Sequence, residues 1–187
     1  MQYVEHGWPV TRLAVPRGGR CSCRLLGCPE PHLVLNSPGL ITTRREAEQA
    51  FAEPRWDIAL VTASFDVIDV PPQFGAPLHH LLKTSCPTAL APAYRRWQFY
   101  MAPGSVPRGL IEAAGGVVFS SSSGWVAAPG TKTETTGTIR WLVPPYLTNW
   151  RPHQRRDHID TVFGTVDWSA STAPAPCLPR IVEEALE

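Results

Sequence analysis

The 187-residue chain is long enough to bury one full hydrophobic core and does not require a second domain. Its 43% hydrophobic and 18% charged residues form a globular mixture that excludes a disordered or fibrous chain. The 17 Lys and Arg nearly balance the 16 Asp and Glu, so no global positive field marks the chain for nucleic acid, and any such binding must be local.

No apolar stretch approaches the roughly 18 residues of a membrane span, and the start MQYVEHGWPV lacks the charged and apolar regions of a signal peptide. A cytoplasmic protein with no membrane partner is expected. Twenty prolines and fourteen glycines fall between short apolar runs, the pattern of strands joined by turns. Residues 1–6 suit the last turn of a helix and residues 8–15 a first strand. From 17 to 32 the composition shifts to Gly, Arg, Cys and Pro, a loop held by something other than a core. Thr43 and Glu46 have the spacing of a capping box, which predicts a short amphipathic helix over 44–53 stopped by Pro54.

Residues 57–62 and 65–70 are two β-rich runs separated by Ala63 and Ser64, consistent with a hairpin or a tightly linked pair of strands. Pro71 and Pro72 end the second run. A helix follows over 73–83 with Phe74, Leu78, Leu81 and Leu82 on or near one face. It makes His79 and His80 surface or half-buried groups. Further strands are expected over 97–102, 116–120, 124–128 and 138–143, with Trp56, Trp125 and Trp141 as core residues. The order is mixed α and β, with no internal repeat. From residue 150 the chain is rich in Arg, His and Pro and then in Ser, Ala and Pro. The reading is therefore a compact domain over 1–149 and a peripheral or partly disordered extension over 150–187, whose closing IVEEALE can dock as a helical turn.

Five cysteines are an odd number, and Cys21, Cys23 and Cys28 crowd together just before His32. Thiolates and imidazole are the preferred tetrahedral ligands of zinc, and a loop with little core of its own can be ordered by a metal. The four residues are the candidate zinc site. The spacing C-x-C-x4-C-x3-H is not a common zinc-finger spacing, and the alternative is a reduced, metal-free loop. Cys86 and Cys177 read as isolated core or loop thiols.

Four stretches in order resemble the bifunctional DNA primase/polymerase (Prim-Pol) domain of actinobacterial and phage replication proteins. They are YVEHGWPV at 3–10, CSCRLLGCPEPH at 21–32, the run from Trp56 through FDVIDVP to Pro71, and GWVAAPG followed by TGTIRWLVPP to Pro145. With FYMAPG at 99–104 they cover most of residues 3–145. The resemblance implies an α+β fold: a compact domain with a central, mainly antiparallel sheet and flanking helices. It also implies template-directed nucleotidyl transfer by two divalent cations held by acidic residues.

Active members of that family place two acidic residues two apart on a strand, so that both face one metal. Here Asp69 fits the first position and Pro71 occupies the second, while Asp66, three residues away, faces the opposite side. Trp97 lies where a triphosphate-binding histidine is expected, and residues 118–123 hold no acid where a third is expected. Asp69 is thus a vestigial catalytic candidate, with magnesium or manganese required only if activity survives. Arg95 and Arg96 are candidates for phosphate contact, and Lys132, Arg140 and the group Arg151, Arg155 and Arg156 for a nucleic-acid path.

The leading expectation is a replication-priming domain with reduced or lost catalysis that still binds DNA, nucleotide or a replication partner. No GxxxxGK[ST] motif occurs, so a helicase would act in trans. Two alternatives stand beside it: an active primase-polymerase with displaced ligands such as Glu112 or Asp57, and a protein-interaction module without nucleic-acid binding.

Overall fold

A computed structural model of the chain describes residues 2–24, 28–34, 39–92, 94–121, 123–133 and 137–164. In chain order the elements begin with α1 (Gln2–Glu5), β1 (Val10–Ala14), β2 (Pro16–Arg17), β3 (Arg20–Cys21), β4 (His32–Leu33) and α2 (Arg44–Ala50). Then come β5 (Asp57–Val61), β6 (Asp66–Val70), α3 (Pro72–Leu82), β7 (Thr88–Ala91), β8 (Arg96–Met101) and α4 (Arg108–Ala113). Last are β9 (Val117–Phe119), β10 (Trp125–Ala127), β11 (Lys132–Thr133), β12 (Gly137–Thr138), β13 (Arg140–Val143) and α5 (Asp157–Phe163).

The class is α+β with antiparallel sheets, as expected. Among the described residues, a four-stranded sheet runs β10-β5-β1-β4 and a five-stranded sheet runs β13-β7-β8-β6-β9, and every pairing within them is antiparallel. One apolar cluster draws on both sheets: Val10 and Leu60 from the first, Val67, Ala89 and Tyr100 from the second, with Trp8 and Phe65 between. The other face of the second sheet buries Ile68, Val70, Phe99 and Met101 against Leu78 and Leu82 of α3, Ile111 of α4, and Ile159 and Phe163 of α5. Strand β6 is therefore buried along its whole length, with a different apolar cluster on each face.

Local chemistry accounts for the helix starts. The Thr43 hydroxyl accepts from the Glu46 amide at 3.2 Å and Glu46 Oε2 accepts from the Thr43 amide at 3.0 Å, the reciprocal capping box that the spacing implied. At the start of α3 two prolines cost no hydrogen bond, because the first turn has no intrahelical acceptor for their missing N–H.

Three expectations meet corrections. Of the two readings of 57–62 and 65–70, the tightly linked pair of strands holds and the hairpin does not: β5 belongs to the first sheet and β6 to the second, and the link between them carries Phe65 into the shared core. Trp56, Trp125 and Trp141 are half-buried, whereas Trp8, at 1% exposure, is the large buried ring. The guanidinium groups of Arg12 and Arg55 lie over the Trp56 ring, 5.9 and 4.2 Å from its centroid.

The third correction is the boundary near residue 150, which does not mark the end of packed chain. The Trp8 indole N–H donates to the Trp150 carbonyl at 3.1 Å, His153 bridges to Met101, and Ile159 and Phe163 are fully buried. Residues 165–187, with Cys177 and IVEEALE, lie outside the described residues. Among the described residues no helix is long and apolar enough to cross a membrane.

Candidate metal centre

The Cys-rich segment is a small hairpin hung from the end of β1. Strands β2 and β3 pair Arg17 with Arg20 across Gly18 and Gly19, whose φ values of +58° and +73° are both left-handed. Two consecutive positive-φ residues suit a tight two-residue hairpin turn, which glycine adopts without a Cβ penalty. The register sets Cys21 opposite Pro16, and the Val15 amide donates to Ser22 Oγ at 2.9 Å. A turn closed by the Arg24 amide on the Cys21 carbonyl, 2.9 Å, then carries Cys23. The chain returns as β4, where His32 pairs with Ala14 of β1. Both ends of the loop are therefore anchored to one sheet edge.

This anchoring brings the four expected ligands together. One donor atom from each of Cys21, Cys23, Cys28 and His32 lies within 4.8 Å of all the others. Cys23 Sγ is 3.6 Å from Cys28 Sγ, and Cys28 Sγ is 3.9 Å from His32 Nε2. Ligands bound at about 2.0–2.3 Å around a tetrahedral ion sit about 3.3–3.8 Å apart, so Cys23 and Cys28 already stand at ligand spacing, and the wider pairs, up to 4.8 Å, have to close by up to about 1 Å around one ion. His32 Nδ1 lies 3.1 Å from the Glu30 carbonyl oxygen. With the proton on Nδ1 donated to that oxygen, the Nε2 lone pair faces the thiols, the outer hydrogen bond characteristic of a ligating histidine.

Burial and the neighbouring thiols push Cys28 up to about 12, and burial first also raises Cys21. Burial, and then the neighbouring thiols, thus favour the protonated forms of Cys21 and Cys28 in the absence of an ion. A divalent cation replaces those protons. The cluster can bind a metal ion such as zinc.

The strand expected to carry catalysis is arranged differently. On β6, Asp69 pairs with Gln98 of β8 and Val117 of β9. Its Oδ1 accepts from Arg96 Nε, Oδ2 accepts from Gln98 Nε2 at 3.0 Å, and its backbone oxygen accepts from Arg96 Nη2 at 2.7 Å. Arg96 also donates to the Gly115 carbonyl at 3.1 Å. Asp69 is only 9% exposed, and burial pushes its carboxyl upward while Arg96 and Gln98 pull it back.

Asp66 serves the other side of the strand, where its Oδ2 accepts the Gly104 amide at 2.8 Å. Trp97 also lies on the face away from Asp69, against Gly75 of α3 and 5.3 Å from the His79 ring. Gln98 is the side chain beside Asp69, a position that strand alternation points to once the register is known.

The remaining candidates divide by their partners. Both carboxylate oxygens of Asp57 accept from Arg17 Nη2, at 2.9 and 2.7 Å, and Glu112 pairs with Arg108 on α4, so each is engaged away from Asp69. Arg155 and Arg156 pair with Asp157 and Asp160. Arg95 is exposed with φ +52° in the turn between β7 and β8, and Lys132, Arg140 and Arg151 are exposed. No family model, no curated protein and no solved structure matches this chain.

Proposed function

We propose that the chain is a zinc-stapled, catalytically silent domain of Prim-Pol type, serving replication by binding nucleic acid rather than by polymerising nucleotides. The observation that carries this reading is where metal donors converge. Among the described residues the group of three or more convergent His, Cys, Asp or Glu donors is the one at 21–32, and Asp69 belongs to none. Two-metal nucleotidyl transfer needs several carboxylates that neutralise the cations and orient the attacking and leaving oxygens. A single carboxylate already engaged by an arginine and a glutamine offers magnesium neither the charge nor the free oxygens it requires.

Zinc, held by Cys21, Cys23, Cys28 and His32, would act as a structural tie, since four protein ligands leave no open position for a substrate. Its partners in this reading are DNA and a helicase acting in trans. The test is primer extension on a primed template with labelled nucleotides and manganese, comparing the chain with its Asp69→Ala variant. No extension by either protein is expected. Template-dependent synthesis that disappears in Asp69→Ala would restore the enzyme reading.

A further inference from the structure

The four described cysteines differ in what can reach them. Cys21 is fixed in β3 opposite Pro16 and is 6% exposed. Cys86 is fully buried, its sulfur against the Tyr100 carbonyl and the Met101 sulfur. Cys23 and Cys28 are half-buried, and their sulfurs stand 3.6 Å apart. A disulfide joins its sulfurs at about 2.05 Å, so this pair has to close by about 1.5 Å.

Local structure permits that closure. Cys23 lies in the turn that follows β3, and Cys28 lies outside any strand, four residues before His32 of β4. Both therefore sit between the β2–β3 and β1–β4 pairings, where a small rearrangement of the loop breaks no ladder hydrogen bond.

We propose that Cys23 and Cys28 are a redox pair that a peroxide oxidises to a disulfide, expelling the metal ion and freeing the hairpin that it ties. This assignment rests on the reading of the four residues as one metal site. In the metal-bound state both sulfurs are thiolates, the form that reacts with peroxides. One thiolate attacks a peroxide oxygen and the O–O bond breaks, leaving a sulfenic acid and hydroxide. The second thiolate attacks the sulfenic sulfur, the S–S bond forms, and a second hydroxide leaves. The two sulfurs give up two electrons, hydrogen peroxide takes them, and two protons from solvent turn both hydroxides into water. Cys21 and His32 then offer two donors where zinc takes four. The hairpin keeps its short pairings and the contacts of Arg17 with Asp57 and Lys132, and it opens more often without the ion.

The test titrates the zinc-loaded full chain with hydrogen peroxide and follows free zinc with a chromogenic chelator. Disulfides are mapped by mass spectrometry, and tryptic cleavage after Arg20 and Arg24 is timed in parallel. One equivalent of zinc is expected to leave per peroxide consumed, with a Cys23–Cys28 disulfide and Cys86 still reduced. Cleavage at the two arginines should quicken by about tenfold, and dithiothreitol should restore both zinc uptake and protease resistance. A chain that takes up no zinc would overturn the metal reading and the redox pair together. Zinc retained while Cys23 and Cys28 stay reduced, zinc released with Cys21 in the disulfide, or sulfinic acids that dithiothreitol does not reverse would overturn the redox pair and leave the metal site standing.

Discussion

On β6 the aspartates at positions 66 and 69 meet different neighbours, and those neighbours set what each carboxylate can do. Asp66 accepts a turn amide on the helical side, and Asp69 accepts an arginine and a glutamine on the other. Asp69 and Arg96 keep only 12% and 18% of their side chains in water. Removing one member of such a pair leaves the other charge buried and uncompensated, at a cost of about 3–5 kcal/mol. Asp69→Ala should lower unfolding free energy in urea by that order. Asp69→Leu combined with Arg96→Met should recover most of the loss, because two apolar groups leave no stranded charge. An Asp69→Ala chain as stable as the parent would show that the pair contributes nothing to the fold.

At the scale of elements, the sequence was most legible where one local rule governs. The capping box at Thr43 and Glu46, the β-rich run of 65–70 and the crowding of three cysteines before a histidine are each local in the sequence, and each is found. Pattern says that a run is a strand but not which sheet it joins, which is why 57–62 and 65–70 stay open in the sequence between a hairpin and a linked pair of strands. Strand β7, TALA, escaped notice because its small side chains carry little β signal; it is buried because the rings of Trp8, Tyr100 and Trp141 pack in the same cluster as Ala89 and Ala91.

Helix α5 was hidden by its flanking charges, although Ile159 and Phe163 are four residues apart and turn one face inward. Gln98 was missed because identifying the neighbour of Asp69 needs the register of β6 on β8. The packing of α3 on β8 is close enough to test directly. A Cβ on Gly75 would lie 2.2 Å from Trp97 Cγ, so Gly75→Ala must displace the indole or the helix. A loss of about 1–3 kcal/mol is expected from such overpacking, read as a shifted denaturation midpoint with altered Trp fluorescence. An unchanged midpoint would mean that this contact yields freely.

Over the whole molecule, two antiparallel sheets share one aromatic core, three helices cover the outer face of the second sheet, and the edge of the first carries the metal loop. Among the described residues the loop has little apolar packing of its own: Cys21 is buried, Cys23, Cys28 and His32 are half-buried, and the short β2–β3 and β1–β4 pairings, the Val15–Ser22 bonds and the contacts of Arg17 with Asp57 and Lys132 tie it down. An ion there would join residues 21 and 32 to the strand that both sheets' core depends on, and its binding energy would add directly to folding energy. Elemental analysis of the full chain purified without chelator is the most direct measurement. One equivalent of zinc per chain is predicted, lost in Cys28→Ser and unaffected in Asp69→Ala, and stripping it should lower the melting temperature. A folded chain with only a small fraction of an equivalent, or zinc content that survives Cys28→Ser unchanged, would contradict the account.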